Sequence, residues 1–321
     1  MDLIYTDVQR RDVGVLKNFT LDLAFGSDEN DFELTMDLQQ HCCEMDGLIY
    51  IENTEYGGII DGLGVTTAED KLSYVGRTWH GILASKVIVP DEGEAYLTMS
   101  GDANEIIGSL IERCGLSSLF VASSELSDLV FEGYSFDRYI DLYSGIKKML
   151  GSVSGKLKCS FVGGMVVLSA IKAVDYSKDE QFDQSYMSMV FSKTKNVVNH
   201  LICLGKGELA DRVVIHLYRD ENGNIGSTQS IFGLQEVTAI YDYPNAESEE
   251  DLMEKGLEVF AELASEDKVE MDFSAEDDTY DVGDTVGARE IVTGTVATSK
   301  ITKKIVTIRE NEVNIQYKVG E

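Results

Sequence analysis

Hydrophobic and polar residues alternate along the first part of the chain. Apolar side chains take every second position in Phe32–Leu38, and Val75–Trp79 has a similar alternation. A period of two points one face of a strand inward, and the segment Tyr56–Gly58 supplies a turn or bulge between such runs. Pro90 then breaks the pattern. We expect a compact β domain over residues 1–95.

The pattern changes to helical spacing after this break. Apolar residues recur three and four positions apart in Ile106–Cys114, behind capping oxygens in Ser100–Asp102 and before a terminating Gly115. A second amphipathic run, Tyr139–Leu150, ends at Gly151. The pair Gly163–Gly164 then separates two apolar runs, which predicts a tight hairpin. We interpret residues 96–175 as an α+β module with two short helices and a hairpin.

The last part of the chain, residues 176–321, is again rich in predicted strands. Val213–Tyr218 and Ser230–Phe232 lie on either side of a predicted turn at Asp220–Asn224. A capping box at Ser248–Asp251 predicts an acidic helix near residues 247–265. The strands predicted after it form a meander suggestive of a second barrel. They are Lys268–Phe273, Thr285–Gly287, Ile291–Lys300, Lys303–Arg309 and Val313–Val319.

The charge of the chain narrows the range of functions. The 321 residues include 57 acidic and 27 basic side chains, for a net charge of −30. Proteins that bind nucleic acid through its phosphates need clustered lysine and arginine, so that class is excluded. Residues 244–290 carry 17 acidic and 3 basic side chains, whereas residues 291–321 carry 3 and 5. This regional acidity indicates either solvated helix and loop surfaces or a surface that repels polyanions or binds a basic partner.

The sequence contains no pattern typical of secretion or membrane insertion. The amino terminus lacks a basic start followed by an apolar core, and the longest apolar runs are too short to cross a bilayer. We therefore expect synthesis in the cytoplasm and no membrane insertion. The five cysteines are scattered, and free thiols are the simplest interpretation. They are Cys42, Cys43, Cys114, Cys159 and Cys203.

Motifs for catalysis, cofactors and metals are weak throughout. Gly151–Leu157 resembles a phosphate-binding loop, but its glycines are spaced wrongly and Leu157 replaces the magnesium-binding hydroxyl. Asp220–Gly226 departs from a calcium loop at its sixth position, so a hairpin turn explains it better. Four aspartates lie close together without a motif that fixes their geometry, and four histidines lack the partners of a known site. These are Asp277, Asp278, Asp281, Asp284, His41, His80, His200 and His216. We predict no catalytic residue, cofactor or metal.

Several strand and turn segments taken together resemble a known family. These segments are Tyr56–Asp61, Gly76–Leu83, Asn199–Glu208, Asp281–Gly287 and Ile315–Gly320. As a set they resemble the hub-like tail proteins, or baseplate hubs, of long-tailed bacteriophages and prophages, over the whole chain.

The resemblance implies a mainly β fold with two small β-barrel domains, interrupted by an α+β insertion. It also implies a non-enzymatic homotrimer in the virion tail, assembled in the bacterial cytoplasm. Its expected neighbours are the tail tube or a distal tail protein and a spike or fibre component. DNA would pass through the ring only as cargo, and an acidic lining would discourage it from sticking.

Five residues are candidates for structural or interface positions. The aromatics Phe19, Phe25 and Tyr50 suit either a trimer contact or a core, whereas Trp79 and His80 suit the core of the first barrel.

Two alternatives to a hub are an enzyme that degrades cell-wall polymer through buried carboxylates and a carbohydrate-binding β module. The first would need an activated acid pair, and the second would need exposed aromatic platforms.

Overall fold

A computed structural model describes most of the chain. The described residues are 1–178, 181–182, 187–192, 198–263, 268–275, 279–289, 292, 294, 296–309 and 312–320. The chain forms two compact units, and the first unit combines Met1–Val190 with Val269–Glu321. The second unit is the segment Phe191–Lys268 between them. The segment boundaries expected at residues 95 and 175 stay predictions.

Strands dominate the described structure. In chain order they are β1 (Leu3–Thr6), β2 (Asp12–Leu16), β3 (Thr20–Gly26), β4 (Asp31–Asp37), β5 (Leu48–Tyr50), β6 (Gly57–Thr66), β7 (Lys71–Thr78), β8 (Leu97–Asp102), β9 (Phe120–Ala122), β10 (Val130–Phe136), β11 (Gly155–Val162), β12 (Met165–Lys172), β13 (Gln181–Phe182), β14 (Met187–Ser192), β15 (His200–Leu204), β16 (Val214–Arg219), β17 (Ile225–Gly226), β18 (Thr238–Asp242), β19 (Lys268–Ala275), β20 (Thr285–Arg289), β21 (Val296–Arg309) and β22 (Glu312–Val319). The α-helices are α1 (Trp79–Ala84), α2 (Ala103–Arg113), α3 (Leu142–Gly151) and α4 (Glu249–Glu262). Within the described residues, no helix combines the length and the apolar character that a membrane crossing requires.

The largest sheet takes strands from both ends of the chain. Its order is β14-β19-β22-β21-β3-β4-β7-β6-β5-β1-β2, with β20 added to β21 and β13 to β20. Strand β21 is antiparallel to β3, from the pair Lys303 and Gly26 to the pair Arg309 and Thr20. The mainly β fold class is therefore confirmed. The expected closure into two barrels is wrong for the described strands, because the pairing of β21 with β3 continues one sheet instead of closing two.

The period-two pattern succeeds in β4 and fails near Trp79. In β4 the side chains of Phe32, Leu34 and Met36 are buried between exposed neighbours, as predicted. Trp79, however, begins helix α1 instead of ending a strand. The hydroxyl of Thr78 accepts a hydrogen bond from the backbone N–H of Gly81 at 3.3 Å, and this cap turns the chain into the helix.

The predicted α+β elements are confirmed. The Asp102 carboxylate accepts a hydrogen bond from the N–H of Asn104 at 2.9 Å and starts α2. Asp141 caps α3 in the same way, so α3 begins three residues after Tyr139, where the amphipathic run starts. Positive φ angles of 58° and 86° at Gly163 and Gly164 form the turn between β11 and β12.

One hydrophobic core joins the first strands to the α+β layer. The ring of Phe161 in β11 stacks on Tyr50 of β5 at 4.0 Å and on Trp79 at 5.4 Å. Ile107 of α2 and Ile146 of α3 are buried in the same cluster. Burial of aromatic and aliphatic area on this scale is the main stabilising contribution to such a unit.

The second unit is a four-stranded sheet with one helix on one face. Its order is β17-β16-β15-β18, and Leu252 and Phe260 of α4 pack in the core against Cys203 of β15. The hydroxyl of Ser248 accepts a hydrogen bond from the N–H of Asp251 at 3.1 Å, which confirms the predicted helix start.

Two strand predictions in the last third of the chain are wrong. Ser230–Phe232 is not a strand, because the Asp220 carboxylate accepts two backbone hydrogen bonds at 2.8 Å and tightens the turn, so β16 pairs with β17 directly after it. The strands predicted at Ile291–Lys300 and Lys303–Arg309 form the single strand β21 from Val296 onward. Residues 291, 293 and 295 lie outside the described residues.

A chain of buried charges connects separate parts of the first unit. The Lys304 ammonium of β21 lies 2.6 Å from the Glu55 carboxylate and 3.7 Å from that of Asp281. The Lys156 ammonium of β11 lies 2.9 Å from Asp281 and 2.7 Å from Asp284. The side chains of Lys304 and Asp284 have 0% exposure. We call these five residues the buried charge network.

Within the buried charge network, Asp281 and Lys156 favour the charged form of each other. Burial alone would raise the pKa of Asp281, but the charges of Lys304 and Lys156 outweigh it and lower that pKa below its ordinary value. Burial likewise opposes the charge of Lys156, whose pKa is nevertheless raised by Asp281 and Asp284. Each member therefore needs its partners, since an unpaired buried charge is strongly unfavourable.

His80 lies in a closed aromatic environment beside this network. Its ring stacks on Phe25 at 4.7 Å and meets the edge of Tyr143 at 5.1 Å. Burial, reinforced by the charges of Lys304 and Lys147, lowers the pKa of His80 to about 3. The imidazole is therefore neutral in the folded chain at neutral pH.

Removing one cation from the network should destabilise the fold. We expect Lys304→Met to lower the free energy of unfolding by about 3–5 kcal/mol, because it removes the fully buried ammonium that lies 2.6 Å from the Glu55 carboxylate. The double variant Lys304→Met/Glu55→Gln should recover part of this loss. Lys148→Met, which breaks an exposed pair with Asp137, should lower the free energy of unfolding far less. Urea unfolding measures all three, and equal losses in the single and double variants would contradict the expectation.

The neutral His80 should make stability depend on pH. Its folded pKa lies below the ordinary value of 6.5, so the unfolded chain binds a proton that the folded chain does not, and stability falls as the pH drops below 6.5 toward 3. Between pH 7 and pH 5 this loss is about 2 kcal/mol. His80→Phe should remove it in urea unfolding at the two pH values. Ile146→Val, a core change without charge, should keep it, and an unchanged slope in His80→Phe would refute the assignment.

Candidate functional site

The structure places most of the predicted aromatic and histidine candidates inside the first unit. Trp79, His80, Phe25 and Tyr50 are buried, whereas Phe19 is half-buried. The hydroxyl of Tyr50 reaches the surface side of the core and donates a hydrogen bond to Asp12 of β2 at 2.7 Å. The assignment of these five as structural or interface positions stays a prediction. The four buried side chains already have their contacts within one chain.

The cysteines and His41 do not form a reactive pair. The Nδ1 atom of His41 lies 2.6 Å from the hydroxyl of Tyr74, and the backbone N–H of Cys43 also donates to that hydroxyl, at 3.1 Å. Burial raises the pKa of the Cys43 thiol far above its usual value and raises that of Cys159 as well. A nucleophilic cysteine needs the opposite shift. Within the described residues, no group of three or more histidine, cysteine or acidic side chains is arranged to hold a metal ion.

The other two histidines meet on the sheet of the second unit. The Nδ1 atom of His200 lies 2.7 Å from a Glu236 carboxylate oxygen, and its Nε2 atom lies 2.8 Å from Nδ1 of the exposed His216. Tyr218 stacks on the His200 ring at 4.5 Å. The sequence analysis missed this cluster, because the two histidines are adjacent only through the register of β15 and β16. A carboxylate can orient a histidine in this way, but in the described part of the chain no serine, threonine or cysteine side chain is hydrogen-bonded to the exposed His216.

The main concave site is a cavity of about 780 Å³ in the first unit. It lies among β3, β11, β21, β22, helix α3 and the segment 281–283. Part of its wall is apolar, and part belongs to the buried charge network. The apolar lining includes Phe25, Tyr143, Leu157, Ile301 and Val319, and the acidic lining is Asp28, Glu55, Asp272 and Asp281.

Five lysines also line this cavity, and only two of them are paired with acids. Lys156 belongs to the buried charge network, and Lys303 pairs with Glu29. Lys147, Lys300 and Lys318 form no ion pair within the described residues. We call these three the unpaired lysines. The sequence analysis noted only the basic excess after residue 291, since a cavity wall built from three elements has no local signal.

Lys147 is the most constrained of the three. Its ammonium donates a hydrogen bond to the backbone carbonyl of Gly26 at 2.9 Å and lies 4.5 Å above the ring of Tyr143. Burial lowers the pKa of Lys147, and the more distant carboxylates of Asp141 and Asp28 offset this only in part. An additional anion beside this ammonium would therefore be stabilised electrostatically.

A second feature is an open strand edge at the end of β6. Strand β5 pairs with β6 only at Gly57–Ile59, so beyond Ile60 the described structure pairs β6 with β7 alone. Leu63 and Val65 follow on this stretch with exposures of 48% and 51%. Strand β2 at the far end of the sheet is likewise paired on one side only in the described structure. Open edges with apolar side chains are places where another chain can add a strand.

Comparison with known proteins gives results at the level of the fold alone. No protein-family model and no curated protein matches the chain. Three solved structures match it over nearly their whole lengths. A 43 kDa tail protein of prophage MuSo2 from Shewanella oneidensis has a TM-score of 0.56 and 9% identity, covering 99% of this chain and 98% of its own. Prophage tail protein gp18 from Listeria monocytogenes EGD-e has a TM-score of 0.53 and 10% identity, covering 99% and 94%. A tail protein from Neisseria meningitidis MC58 has a TM-score of 0.51 and 10% identity, covering 100% and 96%.

These likenesses confirm the predicted resemblance to phage and prophage tail proteins at the level of the fold. All three solved structures are tail proteins, and two are from prophages. Because identity is 9–10%, the shared property is the arrangement of strands and helices and not a set of conserved side chains. The fold of this chain is that of phage and prophage tail proteins.

Proposed function

We propose that this protein is a structural hub of a phage or prophage tail, which forms a trimeric ring between the tail tube and the tip or spike. The observation that carries the proposal is the match of the whole chain, both units included, to three tail proteins at TM-scores of 0.51–0.56. Coverage above 90% in both directions means that the complete plan is shared, and not one common module.

The charges of the buried carboxylates support a non-enzymatic role. A general acid for glycoside hydrolysis needs a raised pKa, whereas the pKa of Asp281 is lowered by Lys304 and Lys156 against the effect of burial. Glu55 and Asp284 are likewise held against lysine ammonium groups at 2.6 and 2.7 Å. The enzyme alternative therefore lacks a poised acid among these three groups.

The open edges of β2 and β6 support assembly from several copies. Each copy presents two unlike edges of the same sheet, at Asp12–Leu16 and at Gly62–Thr66. A head-to-tail contact between unlike surfaces closes into a ring when the rotation between copies fits. Backbone hydrogen bonds across such edges, with the exposed Leu63 and Val65 at the contact, would join the copies of the trimer.

The net charge of −30 supports a role in which DNA passes without binding. Duplex DNA carries about one negative charge for every 1.7 Å of its axis, so an acidic ring repels it and a basic ring would retain it. In the proposed assembly DNA is cargo, and the partners are the tube or a distal tail protein on one side and a spike or fibre component on the other. The site of action is the virion tail.

The proposed trimer is tested by mass in solution. Sedimentation velocity of the purified chain should show a species of three times 35.5 kDa in equilibrium with monomer. We expect Leu63→Lys/Val65→Lys to shift this equilibrium to monomer while the circular dichroism spectrum stays unchanged, because charged side chains block the open edge of β6.

A matched control separates this effect from general surface charge. Leu126 is 72% exposed and lies between β9 and β10, away from the β6 edge in sequence, so Leu126→Lys should keep the wild-type mass distribution. A wild-type chain that stays monomeric at all concentrations and also in isolated tail particles would contradict the proposed ring.

A further inference from the structure

The three unpaired lysines share one cavity, where Lys147 is half-buried and Lys300 and Lys318 are exposed. Other lysines of the described chain also lack an ion pair, so what sets these three apart is the space that they line together. Lys156 and Lys303, which line the same cavity, are paired with carboxylates. The unpaired lysines come from three different elements, α3, β21 and β22, and line one space.

The half-buried Lys147 shows that this space suits an anion. Its ammonium is taken partly out of water, and its contacts are one carbonyl oxygen and the face of one aromatic ring. A buried charge without an opposite charge is unfavourable, and a carboxylate beside it offsets that cost. Burial lowers the pKa of Lys147, against the opposite effect of the Asp141 and Asp28 carboxylates.

We propose that the cavity of the first unit binds an acidic peptide segment of a neighbouring tail component. Aspartate or glutamate carboxylates of that segment would contact the unpaired lysines, and its aliphatic side chains would lie on the apolar wall formed by Phe25, Ile301 and Val319. The inference rests on the proposed function, because that function supplies the neighbour.

The composition of the wall favours a peptide over a nucleic acid. A cavity of about 780 Å³ lies within the range of about 300–1,000 Å³ that is usual for ligand sites. Asp28 and Asp272 also line it, so a strand with a phosphate at every residue would meet like charges. A polypeptide can place carboxylates at the lysines alone and apolar side chains elsewhere, which matches this mixed lining.

The test is direct binding of a synthetic peptide to the full chain. The probe is a fluorescent peptide of alternating glutamate and leucine, and its reference is the same peptide with glutamine in place of glutamate. We expect fluorescence anisotropy to show binding of the acidic peptide that weakens as salt is added. Lys300→Gln/Lys318→Gln and Lys147→Gln should each weaken it about tenfold or more, since each loses charge-assisted hydrogen bonds.

The control is Lys148→Gln, which removes the neighbouring lysine of the same helix. Lys148 is exposed and pairs with Asp137, so this variant should bind the acidic peptide as the wild type does. The circular dichroism spectrum and the urea midpoint of each variant show whether it is folded.

Four results would overturn the inference. They are failure to bind the acidic peptide, equal binding of the glutamine peptide, undiminished binding by folded Lys300→Gln/Lys318→Gln, and tighter binding of a single-stranded oligonucleotide of the same net charge. The assay needs no assembly, so a trimer that does not bind the peptide removes only this inference, whereas a permanent monomer that binds it contradicts only the proposed ring.

Discussion

Two lysines and three carboxylates that pair with one another hold the first unit in one arrangement. They come from four separate stretches of chain: the loop before β6, the start of β11, the segment before β20, and the middle of β21. Paired charges of this kind add little net stability compared with a hydrophobic core, but an arrangement that separates them is strongly unfavourable. The network therefore acts by excluding alternative packings, while the aromatic cluster around Phe161 supplies the stabilising area.

The buried charge network also forms part of the cavity wall. Glu55, Lys156 and Asp281 are both members of the network and part of the cavity wall, so the wall has a fixed shape before anything binds. A preformed site loses less entropy on binding than a flexible one. The same unit presents the open edge of β6. In the described structure the backbone groups of that edge can still pair with an added strand. The first unit therefore offers two kinds of surface, one suited to a side-chain contact and one suited to strand addition.

The sequence predicted the local features well and the long-range ones poorly. Asp102, the pair Gly163–Gly164 and Ser248 each act on residues within a few positions, so their effects were visible in the order of the amino acids. The contact of Lys304 with Glu55 joins residues 249 positions apart, and a period of two does not say which strand is the neighbour of which. For that reason the pairing of β3 with β21 was missed. The expectation of two closed barrels came mainly from the family resemblance. Thr78 is an intermediate case. Its hydroxyl caps α1 through a local hydrogen bond, but the alternation around it favoured a strand in the sequence. The unpaired lysines were invisible for the same reason as the network. The family resemblance supplied the general plan that periodicity could not.

The pairing of β3 with β21 also affects how the protein is made. Residues 20–26 are translated long before residues 303–309, with which they pair. One edge of β3 therefore stays uncovered until those later residues have been made. Until then the waiting strand is a template for incorrect pairing. A prematurely ended copy would keep that edge open and would aggregate or be degraded. This side of the sheet is therefore completed only after residues 303–309 have been made.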